Sequence, residues 1–174
     1  MSTQNRLFFF DEGRFGLKPS VGRTWARRGS VTPRVVVEPG YDNFYLYSAV
    51  APTTGDQFTL FLPNVDTEMM SLYLQELGKA YPGDSIWLIL DGAGWHNSAS
   101  LKTPSNIKLI SLPPYSPELN PVERLWRWLR MNVCRNKHFK KIEEVEEALL
   151  LAIRGLSTDF LKSLCGCSYL QSFN

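Results

Sequence analysis

Hydrophobic and polar positions divide the chain into short, distinct runs. Arg6-Leu-Phe-Phe-Phe10 is almost wholly apolar and stops at Asp11-Glu12-Gly13, which predicts a buried strand that delivers a carboxylate at its end. A long Gly- and Arg-rich stretch containing Trp25 and Pro33 follows, predicted irregular apart from a short strand at Arg34–Val37. Asn43–Val50 and Gln57–Leu62 are β-rich and separated by Ala-Pro-Thr-Thr-Gly-Asp, the pattern of a hairpin with a longer loop. Asp66-Thr-Glu68 predicts a helix start, with Met69, Leu72, Tyr73, Leu74 and Leu77 as its apolar face and an end at Gly78 or Pro82. Ser85–Leu90 is a second fully apolar run that ends in an acid, Asp91; its Trp87 is expected in the core. Ile107–Ile110 reads as a short strand. Pro113, Pro114, Pro117 and Pro121 then forbid helix until the last, which starts one over Val122–Val133 with Asn120 as N-cap. Its apolar positions are Val122, Leu125, Trp126, Leu129 and Val133. A further helix over about Ile142–Leu156 turns Val145, Leu149, Ala152 and Ile153 inward.

At 174 residues, one domain is expected, with enough chain to bury a core without disulfide or metal. No apolar run approaches the ~20 residues that span a bilayer, and Met-Ser-Thr-Gln-Asn-Arg lacks a signal-peptide core. Membrane, secreted and disordered classes are excluded, and a cytoplasmic protein is expected. Cys134, Cys165 and Cys167 fit a reduced compartment, and with only two histidines four-ligand zinc chemistry is improbable.

The net charge of +2, from 19 Lys+Arg against 17 Asp+Glu, does not by itself indicate a polyanionic partner. Its distribution is uneven. Arg14, Lys18, Arg23, Arg27, Arg28 and Arg34 form one acid-free stretch, and Arg124 to Lys141 forms another. Such runs are either solvated surface or faces that meet phosphate.

Two buried strands ending at Asp11 and Asp91 could lie side by side and aim both carboxylates at one point. Repulsion between them would favour a hard divalent cation such as Mg²⁺. Glu123, in the first turn of the proline-started helix and separated from Asp91 by 31 intervening residues, supplies a third acid; Glu118 competes for that place. Simpler readings stand beside this one. Strands commonly end in acids at the surface, and Glu123 also suits a helix N-terminus or an i,i+4 pair with Arg127.

Three segments resemble the DDE transposases of the mariner-like superfamily, in particular their bacterial insertion-sequence branch. They are Phe9-Phe-Asp-Glu-Gly13, Leu88-Ile-Leu-Asp-Gly-Ala-Gly-Trp-His-Asn-Ser98 and Leu112-Pro-Pro-Tyr-Ser-Pro-Glu-Leu-Asn-Pro-Val-Glu-Arg-Leu-Trp126. The last is highly specific, and the resemblance runs from about Arg6 to Leu156. It implies an α/β, RNase H-like fold, a mixed five-stranded sheet flanked by helices. By motif it implies that Asp11, Asp91 and Glu123 are the catalytic, metal-holding acids, with two Mg²⁺ or Mn²⁺ ions. It implies DNA cleavage and strand transfer by two-metal phosphoryl transfer, with DNA as partner, element ends and possibly TA target sites included. His96 matches the family's His in its segment, and Arg124, Arg127 and Arg130 could track the DNA backbone. A dimer on DNA and a nucleoid location are expected.

Residues 1–174 are expected to form a single catalytic domain, core about 6–156, with the helix-turn-helix recognition region of such transposases separate or missing. The alternatives are an inactive remnant that only binds nucleic acid or protein, and a nuclease of the same fold acting on RNA–DNA hybrids.

Overall fold

A computed structural model describes residues 4–18, 20–23, 25–31, 40–92, 100–114 and 116–173, with side chains described as far as residue 170. The strands are β1 (Asn5–Gly16), β2 (Asn43–Val50), β3 (Gln57–Leu62), β4 (Ser85–Leu90) and β5 (Ile107–Ser111). The helices are α1 (Thr67–Ala80), α2 (Val122–Leu129), α3 (Ile142–Arg154) and α4 (Thr158–Cys165). One five-stranded sheet is ordered β3-β2-β1-β4-β5. Its β1–β2 and β2–β3 pairs are antiparallel, and its β1–β4 and β4–β5 pairs are parallel. This is the mixed five-stranded sheet flanked by helices that the resemblance implied.

The centre of the sheet is apolar on both faces because the run Phe8-Phe9-Phe10 alternates between two cores. Phe8 and Phe10 pack with Tyr47 and with Met70, Tyr73, Leu74 and Leu77 of α1 on one side. Phe9 and Phe15 pack with Leu125, Trp126 and Leu129 of α2, Val145 and Leu149 of α3 and Leu161 of α4 on the other. The inward face of α1 is Met70, Ser71, Tyr73, Leu74 and Leu77; Met69 is only partly buried and Leu72 is exposed, a correction of about one position to the expected face. Its start is as expected, with Asp66 Oδ1 accepting from Met69 N at 2.8 Å.

Three further expectations need correction. β1 does not stop at Asp11 but runs on to Gly16, because β2 pairs with it through Gly16 opposite Asn43. Trp87 is not core: it is 45% exposed and lies against Lys108, whose Nζ is 5.6 Å from the ring centroid, while Ile89 on the same side of β4 is partly buried. The helix expected over Val122–Val133 is α-helical only to Leu129; Arg130–Cys134 form a wider π-helical turn in which Arg135 N donates to Arg130 O at 2.9 Å. A fourth helix, α4, was not anticipated. It is capped by Ser157 Oγ, which accepts from Phe160 N at 3.2 Å, and it buries Leu161 and Cys165. Trp25 is fully exposed. The strand expected at Arg34–Val37 lies outside the described residues.

Candidate active site

Parallel pairing places the two aspartates level with each other. The β1–β4 register ends with Phe9 opposite Ile89, so Asp11 and Asp91 each lie two residues beyond the last pair, at the carboxyl end of β4. In open α/β sheets that end is where ligands bind. Across β1, Asp11 stands opposite Ser48, a fully buried small residue that hydrogen-bonds Thr59 (Oγ to Oγ1, 2.7 Å).

The start of α2 is tied to the same place by Asn120, which is 5% exposed. Its Nδ2 donates to Phe10 O at 2.8 Å, and its Oδ1 accepts from Val122 N at 3.2 Å. One side chain thus holds the first N–H of α2 and anchors the helix beside Asp11, although the cap position itself is Pro121, one residue after the expected Asn120. Glu123 follows in the first turn, where negative charge is favoured by the helix dipole. Asp11, Asp91 and Glu123 line one cleft of about 410 Å³, whose wall is built from Leu112, Pro113, Pro114 and Pro117.

Trp126, one turn after Glu123, is the residue that sequence reasoning assigned only to packing. Its buried indole donates from Nε1 to Asp11 Oδ2 at 2.9 Å. Gly13 permits the approach: a Cβ there would sit 2.8 Å from Trp126 Cδ2. Burial, then the charge of Glu123, push the Asp11 carboxyl up from its ordinary 3.8 to about 7, against the lowering effect of the Trp126 hydrogen bond. Trp126 falls within the Pro-Pro-Tyr-Ser string, four residues after Val122, so its inward face was legible but its polar partner was not.

The hard carboxylate oxygens and the strain of negative charge at Asp11 suit an oxygen-seeking divalent cation. Among the described residues, no three His, Cys, Asp or Glu side chains form a ready metal cage. Mg²⁺ does not need one, since it is usually held by one or two carboxylates plus water and substrate phosphate. Of the remaining expected residues, Arg124 donates from Nη1 to Gly166 O at 2.6 Å, holding the end of α4. Arg127 is exposed, and Arg130 lies over the Phe15 ring at 5.2 Å. His96 lies outside the described residues, as do Asn97 and Ser98.

Fold and acid cleft together define an RNase H-like domain. The family model described as DDE superfamily endonuclease matches residues 6–146, and the chain belongs to that family. It is 31% identical over 141 residues to the insertion element IS630 uncharacterized 39 kDa protein of Shigella sonnei, covering 78% of this chain and 40% of that protein. It is 46% identical over 102 residues to the uncharacterized protein y4pE/y4sA of Sinorhizobium fredii, covering 58% of this chain and 76% of that one. Among solved structures, the pre-cleavage Mos1 transpososome matches with a TM-score of 0.71 at 14% identity, over 92% of this chain and 52% of that one. The Mos1 mariner paired end complex with Mn matches with a TM-score of 0.71 at 17% identity, over 92% and 51%. The chain therefore spans about half the length of the Mos1 chains it matches. Among the described residues, no helix is long and apolar enough to cross a membrane.

Proposed function

We propose that this chain is the catalytic domain of a DDE transposase, cutting DNA strands and joining the freed ends to target DNA. The observation that carries the reading is the cleft shared by Asp11, Asp91 and Glu123. These three residues would hold two Mg²⁺ or Mn²⁺ ions. When bound, such ions neutralise charge developing on the phosphoryl oxygens and lower the pKa of the attacking water or 3′-hydroxyl. The chain's own residues supply position. Trp126 fixes the Asp11 carboxylate by its Nε1–H, Asn120 fixes the helix that bears Glu123, and the proline wall limits the space in which a phosphodiester can lie. No Ser or Cys nucleophile is required. DNA as the partner agrees with family membership and with the Mos1 complexes that share the fold.

The test is nicking of supercoiled plasmid in Mg²⁺ or Mn²⁺ by wild type, Asp11→Asn, Asp91→Asn and Glu123→Gln. Wild type is expected to give open circles, and each variant is expected to lose at least ~100-fold in rate while retaining its circular-dichroism spectrum. An Asp91→Asn protein that nicks at the wild-type rate would sink the proposal. Thermal unfolding supplies a second readout: divalent cation should raise the midpoint of wild type and leave Asp91→Asn nearly unmoved.

A further inference from the structure

The two acid-free basic stretches, far apart in sequence, meet at the end of β1 remote from its first residue. Ser20 bridges to Arg135 as a short parallel pair, and Asn136 N donates to Ser20 O at 2.8 Å. Asn136 Oδ1 in turn accepts from Gly22 N at 2.9 Å, and the Arg135 guanidinium donates to Arg23 O. These bonds fasten one stretch to the other. They do not leave each as an independent solvated run.

The result is a cavity of about 780 Å³ lined by Arg14 and Lys18 from the first stretch and Arg130 from the second. All three cations are exposed at its surface. The side chains of Ser20, Tyr41 and Asn43 add neutral hydrogen-bonding groups, and Asp42 is the single acid among its described lining residues. Arg130 is not free to wander, since its guanidinium lies over the Phe15 ring at 5.2 Å.

This cavity stands in a defined relation to the acid cleft because the same two elements join them. Along β1, at ~3.3 Å per residue, Arg14 lies about 10 Å and Gly16 about 17 Å beyond Asp11. From Glu123 to Arg130 the helical rise is also about 10 Å. Successive phosphates of one DNA strand, which rises about 3.4 Å per nucleotide while winding about the axis, are about 7 Å apart, so the separation corresponds to roughly two to three nucleotides.

We infer that this groove binds the sugar-phosphate backbone of DNA about two to three nucleotides from the phosphate held at the acid cleft, with Arg14, Lys18 and Arg130 as its phosphate contacts. The inference rests on the DNA-cleaving reading for the identity of its ligand, and it adds a positioning site remote from the chemistry. A backbone clamp at that distance would fix the register of the strand in the cleft without reading its sequence.

Binding of a short DNA duplex by fluorescence anisotropy, in EDTA and across a salt series, separates this site from catalysis. Each phosphate contact contributes about 0.9 to the slope of log affinity against log salt. The triple variant Arg14→Gln/Lys18→Gln/Arg130→Gln should lower that slope by about two to three. A control with equal charge loss elsewhere, Lys79→Gln/Lys102→Gln/Lys108→Gln, should leave it nearly unchanged. Should loss of the Arg130–Phe15 contact unfold the triple variant, Arg14→Gln/Lys18→Gln touches only exposed side chains and should lower the slope by about two. Phosphate ethylation should interfere most at about two to three nucleotides from the nick. An equal fall in groove and control variants, an unchanged groove variant, a wild type without affinity for duplex, or preference for polyglutamate over DNA would each overturn the inference. A wild type that binds through the groove and never nicks would instead defeat the catalytic proposal and leave this one standing.

Discussion

One carboxyl group of the cleft is held uneasily by its surroundings. Asp11 is pushed to about 7 first by burial and next by the charge of Glu123. Between about pH 4 and pH 7 the native state therefore keeps a proton that the unfolded chain has released, and stability falls as pH rises through that window. Replacing Asp11 by Asn keeps an oxygen that can accept from Trp126 Nε1 and removes the charge. The variant is expected to match wild type near pH 4 and to exceed it at pH 8 by about 1–3 kcal/mol, measured by denaturant unfolding at both values. A variant no more stable than wild type at pH 8 would show that Asp11 ionises without cost. Under the proposed function, stability and activity oppose each other at this position, as they do where a site stores charge for a ligand to neutralise. That Asp11, Asp91 and Glu123 share one cleft was legible in part: two apolar runs end in an acid and a proline-started helix begins near a third, while the choice of Glu123 over Glu118 rested on the resemblance. The hydrogen bond from Trp126 was not, because the pattern of apolar positions registers that a side chain points inward and is blind to which polar atom it meets there.

At the scale of elements, the cleft exists because α2 lies directly on β1. Two residues set that distance. Asn120 ties the helix start to Phe10 O, and Gly13 leaves the space that the Trp126 indole fills. A methyl group at position 13 would stand 2.8 Å from Trp126 and 2.9 Å from the Phe15 ring, closer than a packed core accepts. Gly13→Ala is therefore expected to destabilise the fold by about 1–3 kcal/mol in urea unfolding and to depress nicking further than the stability loss accounts for, since Asp11 and Glu123 would be moved apart. Wild-type stability and rate in this variant would show that α2 has slack. The same element marks where pattern reading ended early. Val133 kept the helical spacing and is buried, yet the backbone widens at Arg130–Cys134 before Asn136 takes a positive φ of 56°. Spacing alone does not distinguish a wide turn from a continuing helix. Helix α4 escaped for a related reason, being eight residues long and following a connection of only a few residues.

Across the whole molecule, the two ends of the sheet are built differently, and the sequence makes one of them far plainer than the other. The positions of the five strands along the chain follow from runs of apolar residues, and the hairpin limits are as expected. Trp87 was misplaced because a continuous apolar run does not reveal which of its residues the core fully encloses; of β4 only Ile86, Leu88 and Leu90 are fully buried. The end opposite the acids carries no motif at all, but it is closed by Arg6. Its Nε donates to Asp84 Oδ2 at 2.5 Å, its Nη1 donates to Asp56 Oδ2 at 2.8 Å, and its guanidinium lies 4.7 Å from the Tyr81 ring centroid. One side chain thereby joins the start of β1 to the β2–β3 loop and to the turn between α1 and β4. The Arg6 guanidinium holds the Asp84 carboxyl below its ordinary value, so this part of the stability is present at neutral pH and is lost as pH falls below the usual carboxylate range. Arg6 lies five residues from Asp11, about 17 Å along the strand. Arg6→Met keeps much of the aliphatic stem and removes the charge, and it is expected to lower the thermal midpoint by a few degrees at pH 7 and by less at pH 3. Because the lost contacts touch neither α2 nor the carboxyl end of β4, the folded variant should nick DNA at the wild-type rate at a temperature well below its midpoint. A drop in rate without a drop in midpoint would mean that strain at one end of β1 reaches the acids at its middle, and that the two ends of the sheet are not independent.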